Sequence, residues 1–167
     1  MSLSMINPPR KIPDCHDLDI LAKTIYGEAR GEGNLGREAV GCVIINRWKS
    51  GKWFNGFDTN NDGVESIAEV CQQVVPGSKW HQFSAWNADN PGLAEMNACN
   101  LYNAVFRECV TIAMLVIANS ADQRWAGRDK SNGATHYYAE YIAVPKWAAG
   151  KTPCAMVGRH RFFKGIG

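Results

Sequence analysis

A mainly helical α+β domain with a small β hairpin or sheet near its C-terminus is the fold that the sequence predicts, and three observations predict it. Apolar residues recur at helical spacing through the first two thirds of the chain. The last third changes to short, aromatic-rich extended stretches punctuated by proline. The 167 residues, 46% hydrophobic and 20% charged, suit a single domain with its own core and exclude a disordered or low-complexity chain.

In chain order, a leader over 1–16 reads as extended, with a proline-rich stretch at 7–13, and a second methionine at Met5 suggests that its first few residues are an appended start. The single domain is expected over 17–167. Leu18, Leu21, Ala22, Ile25 and Ala29 predict a first helix capped by Asp14 or Asp17. Gly27, Gly31, Gly33 and Gly36 then predict its end near Glu28 and a close approach of the backbone to something there. A second helix from about Gly36 places Ala39, Val40, Val43, Ile44 and Arg47 on one face and ends near Ser50 and Gly51. After a polar, turn-rich stretch over 53–63, a short helix over 66–74 turns Ile67, Val70 and Val74 inward. Residues 76–96 are too irregular for a long element and too aromatic for a linker, as long functional loops often are. The strongest helical pattern spans 97–119, with Leu101, Ala104, Val105, Ile112, Ala113 and Val116 as its buried stripe. Beyond a polar loop at 120–133, the stretches 134–141 and 155–163 read as strands that pair around turns at Pro145 and Pro153.

Composition excludes several classes of function. Eighteen Lys and Arg against 16 Asp and Glu leave a net charge of only +2, far from the basic stripe of a nucleic-acid binder. The longest apolar run, 110–118, is well short of the roughly 20 residues that a membrane-spanning helix needs. The start of the chain lacks the basic and apolar regions of a secretory signal. Six scattered cysteines without a Cys-x-x-Cys pair read as reduced structural thiols.

Glu28 and Glu32, in Tyr26-Gly27-Glu28-Ala29-Arg30-Gly31-Glu32, lie four apart and would share a helix face. On spacing alone, a solvated glutamate pair is the commoner reading. Gln82, Phe83 and Ser84, then Gly133 to Tyr138 with His136 and Tyr137, then Trp147 and His160 mix aromatic faces with amide, hydroxyl and imidazole groups. Such mixtures suit carbohydrate, which offers C–H faces for stacking and hydroxyls for directional bonds.

These blocks, taken together with Val43-Ile44-Ile45-Asn46-Arg47, Pro145-x-Trp147 and Gly158-x-His160-x-Phe162, resemble the SleB/CwlJ family of bacterial cell-wall hydrolases in order and spacing from about Leu18 to Phe163. The resemblance implies a lysozyme-like catalytic domain acting on peptidoglycan glycan strands, with Glu28 as the catalytic acid. Family members are described both as amidases and as lytic transglycosylases, so the chemistry of the residues has to decide which bond is cut.

Glycosidic cleavage needs a carboxylic acid still protonated near neutral pH, so Glu28 is expected beside apolar groups, with Tyr26 as a candidate wall. A hydrolase needs a second carboxylate. Glu32 is the first candidate, with Glu65, Glu69 and Asp89 behind it. A lytic transglycosylase needs one glutamate only, because the muramic acid 6-hydroxyl attacks within the same sugar, and this is the expected mechanism. Tyr26, Gln82, Phe83, Ser84, His136, Tyr137 and Trp147 are expected to bind substrate. The rival readings are an N-acetylmuramoyl-L-alanine amidase and a non-catalytic wall-binding module.

No organic cofactor is expected. Zinc is disfavoured, since the four histidines at 16, 81, 136 and 160 form no His-Glu-x-x-His or similar pair. A calcium loop is a candidate over 58–69, with Asp58, Asn60, Asp62, Val64 and Glu69 in ligand positions and Gly63 at position six. At position eight Glu65 replaces the usual apolar residue, and a polar turn before a helix capped by Ser66 is the alternative. The expected partner is the peptidoglycan glycan strand, met by a monomer at the bacterial cell wall. Without an export signal, the chain is expected to stay cytoplasmic until released as a phage lysin is, or to leave by another route.

Overall fold

The computed structural model describes residues 10–53 and 58–166. The first nine residues of the predicted leader and part of the polar stretch after Trp53 lie outside them.

The first helix, α1 (Cys15–Ala29), starts at Cys15 because Asp14 and Asp17 cap each other's backbone. The Asp14 carboxylate accepts the N–H groups of His16 and Asp17, and Asp17 accepts that of Asp14. The boundary expected between 16 and 17 therefore falls inside the first turn of α1. Asp17 is fully buried and also accepts the N–H of Ala68 at 2.9 Å, tying α1 to α3 (Ile67–Gln72), which Ser66 and Glu69 cap reciprocally.

The central element is α2 (Asn34–Ser50), buried on nearly every side between α1, α3 and α5 (Ala104–Ser120). It ends at Gly51, whose φ of 65° provides the left-handed cap. Ile20, Leu21, Ile25, Ile44 and Ile45 meet Phe106, Ile112 and Val116 of α5 in the main core.

α5 starts seven residues later than the pattern predicts. Asn103 takes the Phe106 N–H onto its side chain and stops the helix there. Asn100 accepts the Tyr102 N–H in the turn before it, so Leu101, expected in the buried stripe, is 61% exposed. The short helix α4 (Leu93–Ala98) occupies part of the irregular stretch, as does a 3₁₀ turn at Ser84–Trp86, and α6 (Trp125–Arg128) lies in the polar loop.

Three antiparallel strands follow, β1 (His136–Ala139), β2 (Ala155–Val157) and β3 (His160–Phe163), in the order β1-β3-β2. Tyr137 pairs with Phe162 and His136 with Phe163. The period of two sends Tyr137, His160 and Phe162 towards the helices, where Phe162 joins Ala29, Ala39 and Val43 in a second core. His136, Tyr138 and Phe163 take the outer face, which Trp147 covers. The six cysteines are unpaired, and Cys42, Cys71 and Cys109 are buried core residues. No described helix is long and apolar enough to cross a membrane.

Candidate active site

Glu28 stands in the last turn of α1, where the helix runs out against the 3₁₀ turn of Ser84–Trp86. The approach is close because residue 27 is glycine: a Cβ there would lie 2.5 Å from that of Ala85 and 2.6 Å from the Met96 sulfur. This proximity lets the Ala85 N–H reach Glu28 Oε1 at 2.8 Å, with the Ser84 hydroxyl at 3.4 Å. From the sheet, the Tyr137 hydroxyl donates to Glu28 Oε2 at 2.7 Å. Helix, turn and strand thus converge on one half-buried carboxylate.

An open groove of about 380 Å³ runs over it. Gln82, Phe83 and Ser84 form one side, while Tyr138, Tyr141, Ile142 and Trp147 form the other. Among the described residues lining the groove, Glu28 is the one carboxylate.

Arg47 of α2 closes the floor. Its Nε donates to the Thr135 carbonyl at 2.7 Å, and its guanidinium carbon sits 4.0 Å over the Trp53 ring and 4.7 Å over Phe83. Burial pulls Arg47 down to about 10, against the pull of Tyr137 and Glu28 in the other direction. Its NH1 has no hydrogen-bond partner among the described residues. Burial holds the Tyr137 phenol well above its ordinary range, with the charge and hydrogen bond of Glu28 adding to it, so the hydroxyl stays protonated and available as a donor. His160 packs edge-on against Tyr137 at 5.2 Å, and burial lowers its basicity in spite of Glu32 and Glu28.

The structure brings together most of the residues singled out in the sequence. Gln82, Phe83, Ser84, Tyr137 and Trp147 line the groove with Glu28. Tyr26 does not. It is buried on the far side of α1, donating to Glu95 at 2.6 Å, a bond that leads burial in pushing it up to about 12. In its place, Phe83 and Trp147 are apolar residues that line the groove with Glu28. His136 lies outside the groove, on the outer sheet face between Trp53 and Trp147, and lines a neighbouring cavity with Trp53 and Ile166. Burial and then Arg47 lower it to about 4, which keeps it neutral.

Glu32, the first candidate for a second catalytic carboxylate, is turned away from the groove and bound to Arg159. Glu65 lies just before α3 and Glu69 in its first turn, both outside the groove lining, and Asp89 is exposed outside it as well. Sequence reasoning missed Arg47, Tyr141 and Ile142 as groove residues. Arg47 carried a signal, since an arginine on the apolar face of a central helix must be buried for a reason.

The candidate calcium loop folds as a turn bonded to itself. Asp58 accepts the N–H groups of Asp62 and Gly63, and Asp62 accepts that of Val64. Glu69, the residue that should close the loop on a cation, gives Oε1 to Thr59 and Oε2 to Ser66. The donors are oxygens of the types calcium takes, but in this arrangement both Glu69 oxygens are engaged by Thr59 and Ser66. Among the described residues no group of three or more His, Cys, Asp or Glu is placed to hold a metal ion, and the remaining residues include none of these types.

Fold and site together define a helical domain that presents one carboxylate to an open, aromatic-walled groove, an arrangement suited to acid catalysis on an extended chain. The sequence profile of the cell wall hydrolase family matches residues 31–163, and the chain belongs to that family. Curated relatives include the spore cortex-lytic enzymes of Halalkalibacterium halodurans, 26% identical over 147 residues, and of Bacillus subtilis, 28% identical over 147 residues. Both matches take in 88% of this chain, against 34% and 37% of those proteins, so the chain spans about a third of their length. The catalytic domain of the Bacillus cereus SleB protein has the same fold, with a TM-score of 0.59 and 23% identity over 98% of this chain and all of that one. The catalytic domain of SleB from Bacillus anthracis, a germination-specific lytic transglycosylase, also gives a TM-score of 0.59 at 23% identity, over 91% of this chain and 97% of that one. The SleB/CwlJ resemblance seen in the sequence is borne out.

Proposed function

We propose that this chain degrades peptidoglycan by cleaving the glycosidic bond between N-acetylmuramic acid and N-acetylglucosamine, as a lytic transglycosylase with Glu28 as its single catalytic carboxylate. The observation that carries this reading is that Glu28 is alone among carboxylates in the described groove lining. A hydrolase would need a second one poised about 5 Å away for retention, or further for inversion. Membership of the cell wall hydrolase family supports the substrate class, and the SleB of Bacillus anthracis is named for the same reaction.

In this mechanism the protonated Glu28 gives its proton to the glycosidic oxygen as the C1–O bond breaks, releasing the 4-hydroxyl of N-acetylglucosamine. The carboxylate so formed takes the proton of the muramic acid 6-hydroxyl, whose oxygen bonds to C1 and closes a 1,6-anhydro ring. No water is consumed, and Glu28 ends protonated, as it began. The Ala85 N–H is fixed by its turn, whereas the hydroxyls of Tyr137 and Ser84 can rotate between donating to the carboxylate and accepting from the acid. The first holds the carboxylate in place and the others follow its proton. The aromatic walls suit the C–H faces of the sugars.

The test is digestion of purified peptidoglycan by the wild type and by Glu28→Gln, with mass spectrometry of the soluble products. Anhydromuramic ends that vanish in the variant are expected. New reducing ends would replace transglycosylation by hydrolysis, stem peptides released from intact glycan would point to an amidase, and wall binding without any product would leave a binding module.

A further inference from the structure

Glu32 lies four residues beyond Glu28, and its carboxylate is buried away from the groove at the tip of the β2–β3 hairpin. Oε1 accepts the Arg159 Nε–H at 2.9 Å and Oε2 accepts the Arg159 backbone N–H at 3.2 Å. Burial by itself would raise Glu32, but the two Arg159 donors, with the nearby His160 and the Arg159 charge, hold it below its ordinary value. The hairpin is shaped to admit this carboxylate: Gly158 has φ +56°, and a Cβ there would come 2.1 Å from Glu32 Oε2.

Arg159 faces both ways. While its Nε holds Glu32, its guanidinium carbon lies 5.6 Å over the Tyr141 ring, and its carbonyl accepts the Glu140 N–H at 2.7 Å. Tyr141 is 71% exposed and, with Ile142, forms the outer wall of the groove. A tyrosine this exposed has little packing of its own to fix it, so the stack on Arg159 and the backbone bond beside it set where the wall stands.

We propose that Glu32 is a positioning residue that acts through Arg159 to fix Tyr141 as a wall against which the glycan strand lies. The proposal rests on the reading of the groove as a glycan site. It gives the second glutamate of the Gly-Glu-Ala-Arg-Gly-Glu segment a part in substrate binding and none in proton transfer.

The experiment uses soluble, peptide-free glycan strands of alternating N-acetylglucosamine and N-acetylmuramic acid. Cleavage is followed for the wild type, Glu32→Gln, Arg159→Met, Tyr141→Ala, Tyr141→Phe and the Arg159→Met/Tyr141→Ala pair. Glu32→Gln, Arg159→Met and Tyr141→Ala are each expected to raise KM about two- to fivefold, the range of an exposed cation–π contact, with kcat changed less than about twofold. The pair is expected to equal Tyr141→Ala alone, because Arg159 works through that ring, and Tyr141→Phe restores the KM. Arg159 and Tyr141 are exposed, so the cycle stands even if Glu32→Gln folds poorly. Loss of kcat in a folded Glu32→Gln, or multiplying effects of Arg159→Met and Tyr141→Ala, would overturn the proposal. Glycan affinity, measured for the same cycle in a Glu28→Gln background, separates the two readings. Coupled losses of affinity in that background, when the wild type itself does not cleave glycan, keep the positioning role and remove the catalytic one. Cleavage without coupling removes only the positioning role, and absence of glycan binding removes both.

Discussion

The end of α1 and the loop before α3 are both rich in carboxylates, yet they leave those carboxylates in opposite conditions. At the end of α1, Glu28 receives a backbone N–H and a tyrosine hydroxyl and still faces an open groove. In the 58–69 loop, Glu69 receives the N–H and hydroxyl of both Thr59 and Ser66, is buried, and has become part of a helix cap. Its neighbour Glu65 is only 1% exposed, and neither of its carboxylate oxygens has a hydrogen-bond partner among the described residues. A carboxylate becomes useful for chemistry when its partners hold it without enclosing it. Partners without access make a cap, and burial without partners makes a cost to stability.

The largest effects that would break this contrast lie at the groove. Glu28→Gln is expected to slow cleavage by about 100- to 10,000-fold, the usual contribution of a general acid, while leaving the melting temperature close to that of the wild type. Next comes Tyr137→Phe, which keeps the ring against His160 and Phe162 and removes only the donor to Glu28. A hydrogen bond to a charged group contributes about 1.5–3 kcal/mol, so kcat should fall by roughly one to two orders of magnitude. Rates on purified peptidoglycan would check both, and a fully active Tyr137→Phe would show that the Ala85 amide alone positions the acid.

At Glu65 the expected effect is on stability. Burial, with Glu69 adding to it and Arg10 opposing, pushes this acid from 4.5 up to about 7. The folded state therefore holds the proton more tightly than the unfolded chain, so the contribution of Glu65 to stability is fully present below pH 4.5 and is lost as pH rises through about 7. The loss at pH 8 is on the order of 3 kcal/mol. Glu65→Gln, which cannot ionise, should melt higher than the wild type at pH 8 and approach it near pH 4.5. Melting curves that stay parallel across this range would show that Glu65 is solvated or paired in solution.

Much of this arrangement was legible in the sequence, and what was not has specific causes. The caps at Asp14 and Ser66, the α2 stop at Gly51 and the pairing of the two aromatic stretches follow from local chemistry, which a sequence displays. The start of α5 was misjudged because apolar spacing continues through Leu101 while the Asn103 side chain claims the Phe106 N–H and decides the matter. Within the site, Glu28, Ser84 and Tyr137 came from the resemblance and from residue type. The placement of Tyr26 failed because adjacent helical residues point about 100° apart, so a tyrosine two positions before Glu28 faces Glu95 instead. Glu32 does not share the groove with Glu28 for a related reason: α1 ends at Ala29, and the shared helix face on which the pairing rested ends with it. Its partner Arg159 lies 127 residues away, a pairing that spacing cannot reveal.

The smallest effect is expected at the candidate calcium loop. The 58–69 loop has the ligand types and the positive-φ glycine of a calcium loop, but its ends are closed by Glu69 on Thr59 and Ser66. A cation that recruited both Glu69 oxygens would have to release four donated hydrogen bonds and the cap of α3 with them. We therefore expect the melting temperature to be the same in excess calcium and in chelator. A folded-state site filled at 100 times its Kd would add about 2.7 kcal/mol, or roughly 5–10 °C for a domain of this size, so occupancy could not pass unnoticed. A shift of that size would mean that Glu69 leaves its cap when calcium arrives, and the contrast between the two carboxylate regions would then be one of ligand state and not of fold.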